Sequence, residues 1–221
     1  AKSIGKGECY SVINSVEGTS DGGYVVGGYF KGTNINLENS IILKSTSFEA
    51  GMIIKYNVNG ECEWAKSISG DGDNRICSVT NTSDGGLIAG GYFKSTSINL
   101  ESEIKLTNTT SSYYSDGMIL KYSGKGECEW AKEIKGEGNE EISSVIETKT
   151  GDLLTGGDFT SSTIKLDEKT LTNSGGYGLH DGMILKITNR LGVPEIQELI
   201  VNNVRKEFKI TTDVQELDGI K

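Results

Sequence analysis

The sequence is poor in several residue types that catalysis and nucleic-acid binding use. Among 221 residues it has one histidine (His180), three arginines and one proline. Its 31 acidic residues exceed its 22 lysines and arginines, which gives a net charge of -9. Because neutralising phosphates needs a basic surface, we expect no nucleic-acid partner. The scarcity of histidine and arginine also makes much of acid–base and anion-clamping chemistry improbable.

Long apolar stretches are also missing. No segment approaches the roughly 18 consecutive apolar residues of a membrane-spanning helix, so we expect no membrane insertion. Hydrophobic residues make up 35% of the chain and charged residues 24%, a balance that does not fit a disordered chain. The length is enough for one or two domains.

What the sequence does contain is an internal repeat of about 64 to 66 residues. Each copy has an Ile-x-Ser-Val block, a turn, a second block that contains Gly-Gly, and a Gly-Met-Ile block; two copies end with Glu-Cys-Glu-Trp-Ala-Lys. The Ile-x-Ser-Val blocks lie at 13–16, 76–79 and 142–145, and the Gly-Met-Ile blocks at 51–53, 117–119 and 182–184. The tryptophan blocks lie at 61–66 and 127–132.

Each block predicts a β-strand, because the segments are short, β-rich and bounded by Gly, Asn, Asp and Ser. We predict four strands per unit, with the Ile-x-Ser-Val strand innermost and the tryptophan strand outermost. The second strand (24–30) is apolar on both faces, so we expect both faces of the sheet to be covered. Its Gly-Gly pair permits close approach by another sheet. Inserts at 31–50 and 94–116 predict an extra short hairpin.

At these residues the chain resembles the β-propeller repeats of bacterial cell-surface proteins. The shared motifs are Trp-Ala-Lys-Ser-Ile, Thr-Ser-Asp-Gly-Gly and Gly-Met-Ile-Ile-Lys-Tyr, and the resemblance covers residues 1–192. It implies an all-β fold of propeller-like blades, made of three four-stranded antiparallel units within a longer array. It also implies an extracellular location on the bacterial surface, in a large protein typical of Gram-positive species, and no established activity.

The repeat predicts units at 1–64, 65–130 and 131–192, followed by a linker and partial β module at 193–221. Pro194 marks this last boundary. The alternation of Phe208, Ile210, Thr212 and Val214 favours a strand, while residues 196–200 are also compatible with a short helix. The tail resembles the start of a small β-sandwich module that follows such arrays.

The chain's first residues, Ala1 to Ile4, match the end of a fourth strand. Three units are too few to close a propeller ring. We therefore expect open apolar edges that pair with neighbouring blades of a parent chain or with another copy. Two three-unit arcs closing into a six-bladed ring is one such solution.

Several residues have predicted structural roles. Asp21 and Asp84 are expected to accept hydrogen bonds within their turns, as Asx-turns do. These turns also resemble the Asp-box of sialidases and related propellers, which is a structural turn. Trp64 and Trp130 recur in register, which indicates packing between units. The four cysteines lack CxxC spacing, so we expect free, buried thiols rather than zinc ligands. They are Cys9, Cys62, Cys77 and Cys128.

Candidate binding residues are few. Asp71 and Asp73 lie between a tryptophan strand and the next innermost strand, where carboxylates could bind Ca²⁺ or form a solvated acidic face. The exposed tyrosines Tyr113, Tyr114 and Tyr177 lie in the inserts and suit contact with a glycan or protein. His180 lacks a nearby cysteine for Cys–His catalysis.

These features predict a non-catalytic extracellular repeat module, structural or adhesive, that binds protein or glycan through its loops. We expect no cofactor apart from the possible Ca²⁺. The alternative is a fragment of a propeller glycan hydrolase whose active site lies outside this chain.

Overall fold

The structure is a computed structural model that describes residues 3–4, 9–46, 48–101, 103–108, 110, 113–166, 169–190 and 193–199. Over these ranges the chain is all-β, with several antiparallel sheets and one short 3-10 turn at Glu38–Ser40. No helix in these ranges has the length and apolarity that crossing a membrane requires.

The first third of the chain contains β1 (Tyr10–Gly18), β2 (Tyr24–Lys31), β3 (Asn34–Asn36), β4 (Ile42–Lys44), β5 (Glu49–Tyr56) and β6 (Cys62–Ile68). The second contains β7 (Asn74–Asn81), β8 (Leu87–Phe93), β9 (Ser97–Glu101), β10 (Ile104–Thr107), β11 (Asp116–Tyr122) and β12 (Cys128–Ile134). The last contains β13 (Glu140–Glu147), β14 (Leu153–Phe159), β15 (Thr163–Leu166), β16 (Lys169–Thr172), β17 (Asp181–Arg190) and β18 (Val193–Leu199).

These strands form three four-stranded antiparallel sheets with the same order. Sheet 1 is β1-β2-β5-β6, sheet 2 is β7-β8-β11-β12 and sheet 3 is β13-β14-β17-β18. The remaining pairs, β3-β4, β9-β10 and β15-β16, are two-stranded hairpins inserted between the second and third strands of each sheet. The predicted strand order and the predicted insert hairpins are confirmed.

The unit limits differ in detail from the sequence prediction. The boundaries at residues 64 and 130 fall inside β6 and β12, and the sheets end at Ile68 and Ile134. Val193–Leu199, assigned from sequence to a linker and partial module, is the fourth strand of sheet 3 and pairs with β17. It is a strand and not the alternative short helix. Ala1, Lys2 and the predicted strand around Phe208–Val214 lie outside the described residues.

Neighbouring sheets pack face to face over a glycine in the second strand. A Cβ atom added at Gly27 of sheet 1 would lie 2.6 Å from Val79 Cγ1 and 2.8 Å from Ile76 Cγ2 of sheet 2. Glycine is therefore required here, since even a methyl group would overlap the neighbouring sheet.

The junction of sheets 2 and 3 repeats this contact. A Cβ atom at Gly90 would lie 2.6 Å from Ile142 Cγ2 and 2.7 Å from Val145 Cγ1. We call each contact an Ile/Val-over-glycine junction, in which an Ile and a Val of one sheet cover a glycine of the sheet before it.

A β-bulge makes this junction possible. In a regular strand, residues three apart point to opposite faces. The register shifts between Ile76 and Ser78 in β7, and at the equivalent place in β1 and β13. The extra residue, Cys77 in β7, brings Ile76 and Val79 to the same face, where both are buried.

Lysines of the third strands tie the turns to the sheets. Lys55 Nζ lies 2.9 Å from Asp21 Oδ2, and Asp21 Oδ1 accepts hydrogen bonds from Gly23 N at 3.0 Å and Thr19 Oγ1 at 2.6 Å. This is the Asx-turn geometry expected for Asp21. These hydrogen bonds, Thr19's first, hold the pKa of Asp21 well below its usual range.

The other two turns use the same lysine contact. Asp84 accepts from Gly86 N at 2.9 Å and lies 3.0 Å from Lys121 Nζ. In the third unit, where Thr150 replaces the aspartate, Asp152 lies 2.9 Å from Lys186 Nζ. The ion pair is kept although its carboxylate stands two positions later.

Trp64 joins sheet 1 to sheet 2. Its Nε1 donates to Gly124 O at 3.0 Å, and its ring stacks on Tyr122 with centroids 6.3 Å apart. A Cβ atom on Gly126 would lie 2.7 Å from Trp64 Cδ2. Trp64 and Trp130 are half-buried and pack against the two cores between the sheets. Both tryptophans therefore have the packing role that their recurrence suggests.

The cysteines have no disulfide role. All four lie in the described part of the chain and are free. Cys62 and Cys128, at equivalent positions in sheets 1 and 2, are buried. Each acts as a small apolar residue in its sheet's core, as the sequence predicts, whereas Cys9 and Cys77 are only partly buried.

Replacing Trp64 by alanine tests its bridging role. We expect Trp64→Ala to lower the free energy of unfolding by about 2–3 kcal/mol, less than for a fully buried tryptophan because the ring is half-buried. Trp64→Phe, which keeps most of the packing but loses the bond to Gly124 O, should cost about 1 kcal/mol. Urea unfolding followed by circular dichroism measures both. Equal costs for the two variants would contradict a packing role for the ring.

Candidate functional site

Several polar and aromatic residues that do not repeat between the units lie at one edge of the sheets. By this edge we mean the strand ends at which the second strand of each sheet finishes and the third begins, as the pairing of Lys31 with Glu49 shows. The first strands lie side by side in the same direction, since Asn14 Nδ2 donates to Ile76 O at 2.7 Å and Val79 N to Ser15 Oγ at 3.1 Å. The equivalent edges therefore lie on one side of the stack, which we call the variable edge.

An ion-pair cluster occupies the variable edge between sheets 1 and 2. Glu49 is buried, and its carboxylate lies 2.7 Å from Lys31 Nζ and 2.6 Å from Arg75 Nε. The Arg75 guanidinium lies 4.2 Å from the ring centroid of Tyr29. Burial acts to raise the pKa of Glu49, but the bonds from Arg75 and Lys31 outweigh it and lower that pKa below its usual value. One carboxylate thus holds two cations, and the cluster orients the Arg75 and Tyr29 side chains.

A pair of tyrosines occupies the edge between sheets 2 and 3. The hydroxyl of Tyr177, from the β16–β17 loop, donates to that of Tyr114, from the β10–β11 loop, at 2.9 Å. Tyr177 is 55% exposed, and Tyr113 beside the pair is 84% exposed. The bond with Tyr114 raises the pKa of Tyr177. Two of the three predicted tyrosines, 63 residues apart in the chain, thus form one surface.

His180 and Asp158 form a polar pair on sheet 3. His180 Nδ1 lies 2.5 Å from Asp158 Oδ2, and 72% of the histidine side chain is exposed. A carboxylate that orients an imidazole is one part of a catalytic triad, but a triad also needs a nucleophile within hydrogen-bond reach of the ring. Asp158 is the hydrogen-bond partner found for His180 among the described residues. The pair is consistent with a binding contact.

Two buried carboxyl groups lie at the first residues of β11 and β13. Asp116 is 1% exposed and Glu140 is fully buried. Glu140 accepts a hydrogen bond from Ser161 Oγ. Both oxygens of Asp116, and Oε2 of Glu140, have no hydrogen-bond partner among the described residues. Such groups are costly unless they hold a proton.

The electrostatics of this pair favour protonation. Burial, with the Glu140 carboxylate as the next cause, raises the pKa of Asp116 to about 7. Burial also raises the pKa of Glu140 to about 7, against the lowering effect of the Ser161 hydrogen bond. The pair thus takes up protons near neutral pH, where exposed carboxylates stay charged.

The predicted calcium ligands, Asp71 and Asp73, accept hydrogen bonds from their own chain. Asp71 accepts hydrogen bonds from Thr96 N at 2.7 Å and from Thr96 Oγ1 at 2.6 Å, so both of its oxygens hold the start of the β9–β10 hairpin. These bonds also lower the pKa of Asp71. Asp73 accepts a bond from Lys94 N through its main-chain oxygen. Within the described ranges, no group of three or more His, Cys, Asp or Glu side chains has an arrangement suited to a metal ion.

Sequence reasoning missed the Glu49–Arg75 cluster and the Asp116–Glu140 pair. The positions equivalent to Asp116 and Glu140 at the junction of sheets 1 and 2 are Ala50 and Asn74, so the repeat gives no sign of a buried acidic pair. A signal was present in the pattern itself, because a charged residue at a position that is apolar or neutral in another unit marks a site under a different constraint.

Comparison with known proteins adds little. No family model matches the chain, and no curated protein matches it. Among solved structures, a protein of unknown function from Bacteroides caccae is similar at a TM-score of 0.32 and 12% identity. The match covers 73% of this chain and 61% of that one, so this chain spans less than two thirds of its length. A similarity of this size carries no argument about fold or function.

The buried pair predicts an unusual dependence of stability on pH. In the unfolded chain these carboxyls lose their protons near pH 4, but in the folded chain only near pH 7. The folded state therefore binds more protons between these values, and this contribution to stability falls as the pH rises from about 4 to 7. Asp116→Asn should remove much of the fall and raise the free energy of unfolding at pH 8 by about 2 kcal/mol.

Urea unfolding of the wild type and Asp116→Asn at pH 4 and pH 8 measures this effect. Glu137→Gln, which changes an exposed carboxylate on the β12–β13 connection, is the matched control and should alter stability little at either pH. If Asp116→Asn destabilises the protein equally at both pH values, the carboxyl is charged and paired in the folded state.

Proposed function

We propose that the chain is a non-catalytic extracellular repeat module of a bacterial surface protein, and that it binds a glycan or protein at the variable edge. In this proposal the three sheets are successive propeller-like blades of an array. Support comes from the adjacent first strands, from face-to-face packing over glycine and from the resemblance of the repeated motifs to those of surface propellers.

The observation that carries the proposal is the tyrosine pair Tyr114–Tyr177. Residues that repeat between units, such as the junction glycines and the turn lysines, maintain the scaffold. Residues that do not repeat are free of that constraint, and several of them lie at the variable edge. Tyr177 is exposed and Tyr114 half-buried, and together they offer flat apolar ring faces and hydroxyl groups that donate and accept. This combination suits the apolar face and the hydroxyls of a sugar ring.

The position of the pair also favours binding. Its two residues come from different units, so the surface forms only when sheets 2 and 3 are stacked. The pair joins the β10–β11 and β16–β17 loops by one hydrogen bond. A surface held in place in this way loses less conformational entropy on binding than two independent loops would.

The acidic pair does not support a glycan-hydrolase site within this chain, and the hydrolase alternative places its active site elsewhere. Retaining and inverting glycosidases use two carboxyl groups that both reach the glycosidic bond. Asp116 and Glu140 have raised pKa values, as such acids do, but they are at most 1% exposed. A substrate would have to open the junction of sheets 2 and 3 to reach them.

A glycan-array screen run beside a broad glycosidase assay tests the proposal. We expect wild-type protein to bind a defined set of glycans without releasing product. Tyr177→Ala and Tyr114→Ala should each weaken binding about tenfold or more, as the loss of a central aromatic contact does. Tyr10→Ala, which removes a tyrosine of similar exposure at the other end of the variable edge, should leave binding unchanged.

Two results would contradict the proposal. Product release by the wild type would establish hydrolysis by this chain. Binding that both tyrosine variants retain in full would place the ligand elsewhere on the molecule.

A further inference from the structure

The outer face of sheet 1 carries one half of an Ile/Val-over-glycine junction. Inside the stack, Ile76 and Val79 are 0% and 3% exposed, because they cover the glycine of the sheet before them. Their equivalents in β1, Ile13 and Val16, are 44% and 63% exposed. Ile4 packs on another part of this face and leaves these two side chains in water. We call the surface of Ile13 and Val16 the head face.

The outer face of sheet 3 carries the other half. Gly156 is equivalent to Gly27 and Gly90, but a Cβ atom there would meet no described atom within 4 Å. On the same face, Ile184 is 38% exposed, whereas its equivalents in sheets 1 and 2 are fully buried. We call the surface of Gly156 and Ile184 the tail face.

Each junction inside the stack also contains a serine–valine hydrogen bond. The outer faces of sheets 3 and 1 each carry a partner of such a bond. Ser15 Oγ accepts a hydrogen bond from Val79 N at 3.1 Å, and Ser78 Oγ accepts one from Val145 N at 3.2 Å. The equivalent hydroxyl in sheet 3 is that of Ser144, which is exposed beside the tail face. The equivalent main-chain donor in sheet 1 is Val16 N on the head face.

We propose that the head face of one copy of this chain docks on the tail face of a second copy and forms a third Ile/Val-over-glycine junction. Ile13 and Val16 would cover Gly156, and Val16 N would donate to Ser144 Oγ. The occupant is a second copy because the two halves are shaped for each other: the same contact already joins sheet 1 to sheet 2 and sheet 2 to sheet 3. The inference does not depend on the ligand proposed for the variable edge.

A contact between different faces of two copies is heterologous, so it produces either a closed ring or an open filament. The apolar side chains left in water at both faces favour its formation. The junction glycine supplies selectivity, since only a face with an open glycine accepts an Ile/Val pair at such short range.

The mass of the wild-type protein is the first measurement. Light scattering coupled to size exclusion, from about 1 µM to about 500 µM, should show a rise to at least twice the monomer mass of 23.7 kDa. A wild type that stays monomeric over this range would overturn the proposal.

Two variants test which faces meet. Val16→Asp places a charge on the head face at an exposed position, and Gly156→Val fills the tail face where its own chain leaves room. Each should weaken self-association at least about 30-fold, as hot-spot substitutions do. Each should keep the wild-type circular dichroism spectrum, because Val16 is 63% exposed and a Cβ atom at Gly156 would meet no described atom within 4 Å.

Mixing the two variants gives the decisive result. Val16→Asp keeps an intact tail face and Gly156→Val keeps an intact head face, so the mixture should form a 1:1 complex that grows no further. Val58→Asp, at a 69% exposed position in the β5–β6 turn, is the control and should associate like the wild type. A Gly156→Val protein that still associates like the wild type, or a mixture that stays monomeric, would refute the head-to-tail contact.

Discussion

The contact on which the structure depends is the covering of a second-strand glycine by an Ile and a Val from the next sheet. The separation of the sheets is set by the missing Cβ of Gly27 and Gly90, which brings the main chain of one sheet under the side chains of the next. The bulge in each first strand is what allows an Ile and a Val three residues apart to share one face. Through this contact each sheet positions the loops of its neighbour, including those that carry Tyr114 and Tyr177.

Much of the architecture follows from the repeat alone. Four strands per unit, their order and the inserted hairpin were predictable because each block recurs with the same spacing and turn residues. The role of the Gly-Gly pair was predictable in kind, since a strand that is apolar on both faces needs cover on both. The fourth strand of sheet 3 was not, because Val193–Leu199 lacks the Glu-Cys-Glu-Trp motif. A strand pairs through its main chain, so the motif is sufficient but not necessary.

The candidate site was predictable only in pieces. Exposed tyrosines in loops suggested contacts, but the meeting of Tyr114 with Tyr177 depends on how two sheets stack, which no local pattern encodes. The burial of Asp116 and Glu140 was hidden for a related reason. Each looks like an ordinary surface acid in its own segment, and only the junction removes both from water. Contacts between units are therefore where sequence reasoning loses most information.

Because the junctions of sheets 1 and 2 and of sheets 2 and 3 are alike, they have a consequence for local unfolding of the molecule. Sheet 2 has a neighbouring sheet on both faces, whereas sheets 1 and 3 each have one, so the stabilising contacts of the described sheets are greatest in the middle. In a linear array of like units, local opening begins where the fewest neighbours contribute. Amide hydrogens of β8 should thus exchange with solvent more slowly than their equivalents in β2 and β14, although the three strands have similar local sequences. The protection of an amide in this fold is a property of its position in the stack.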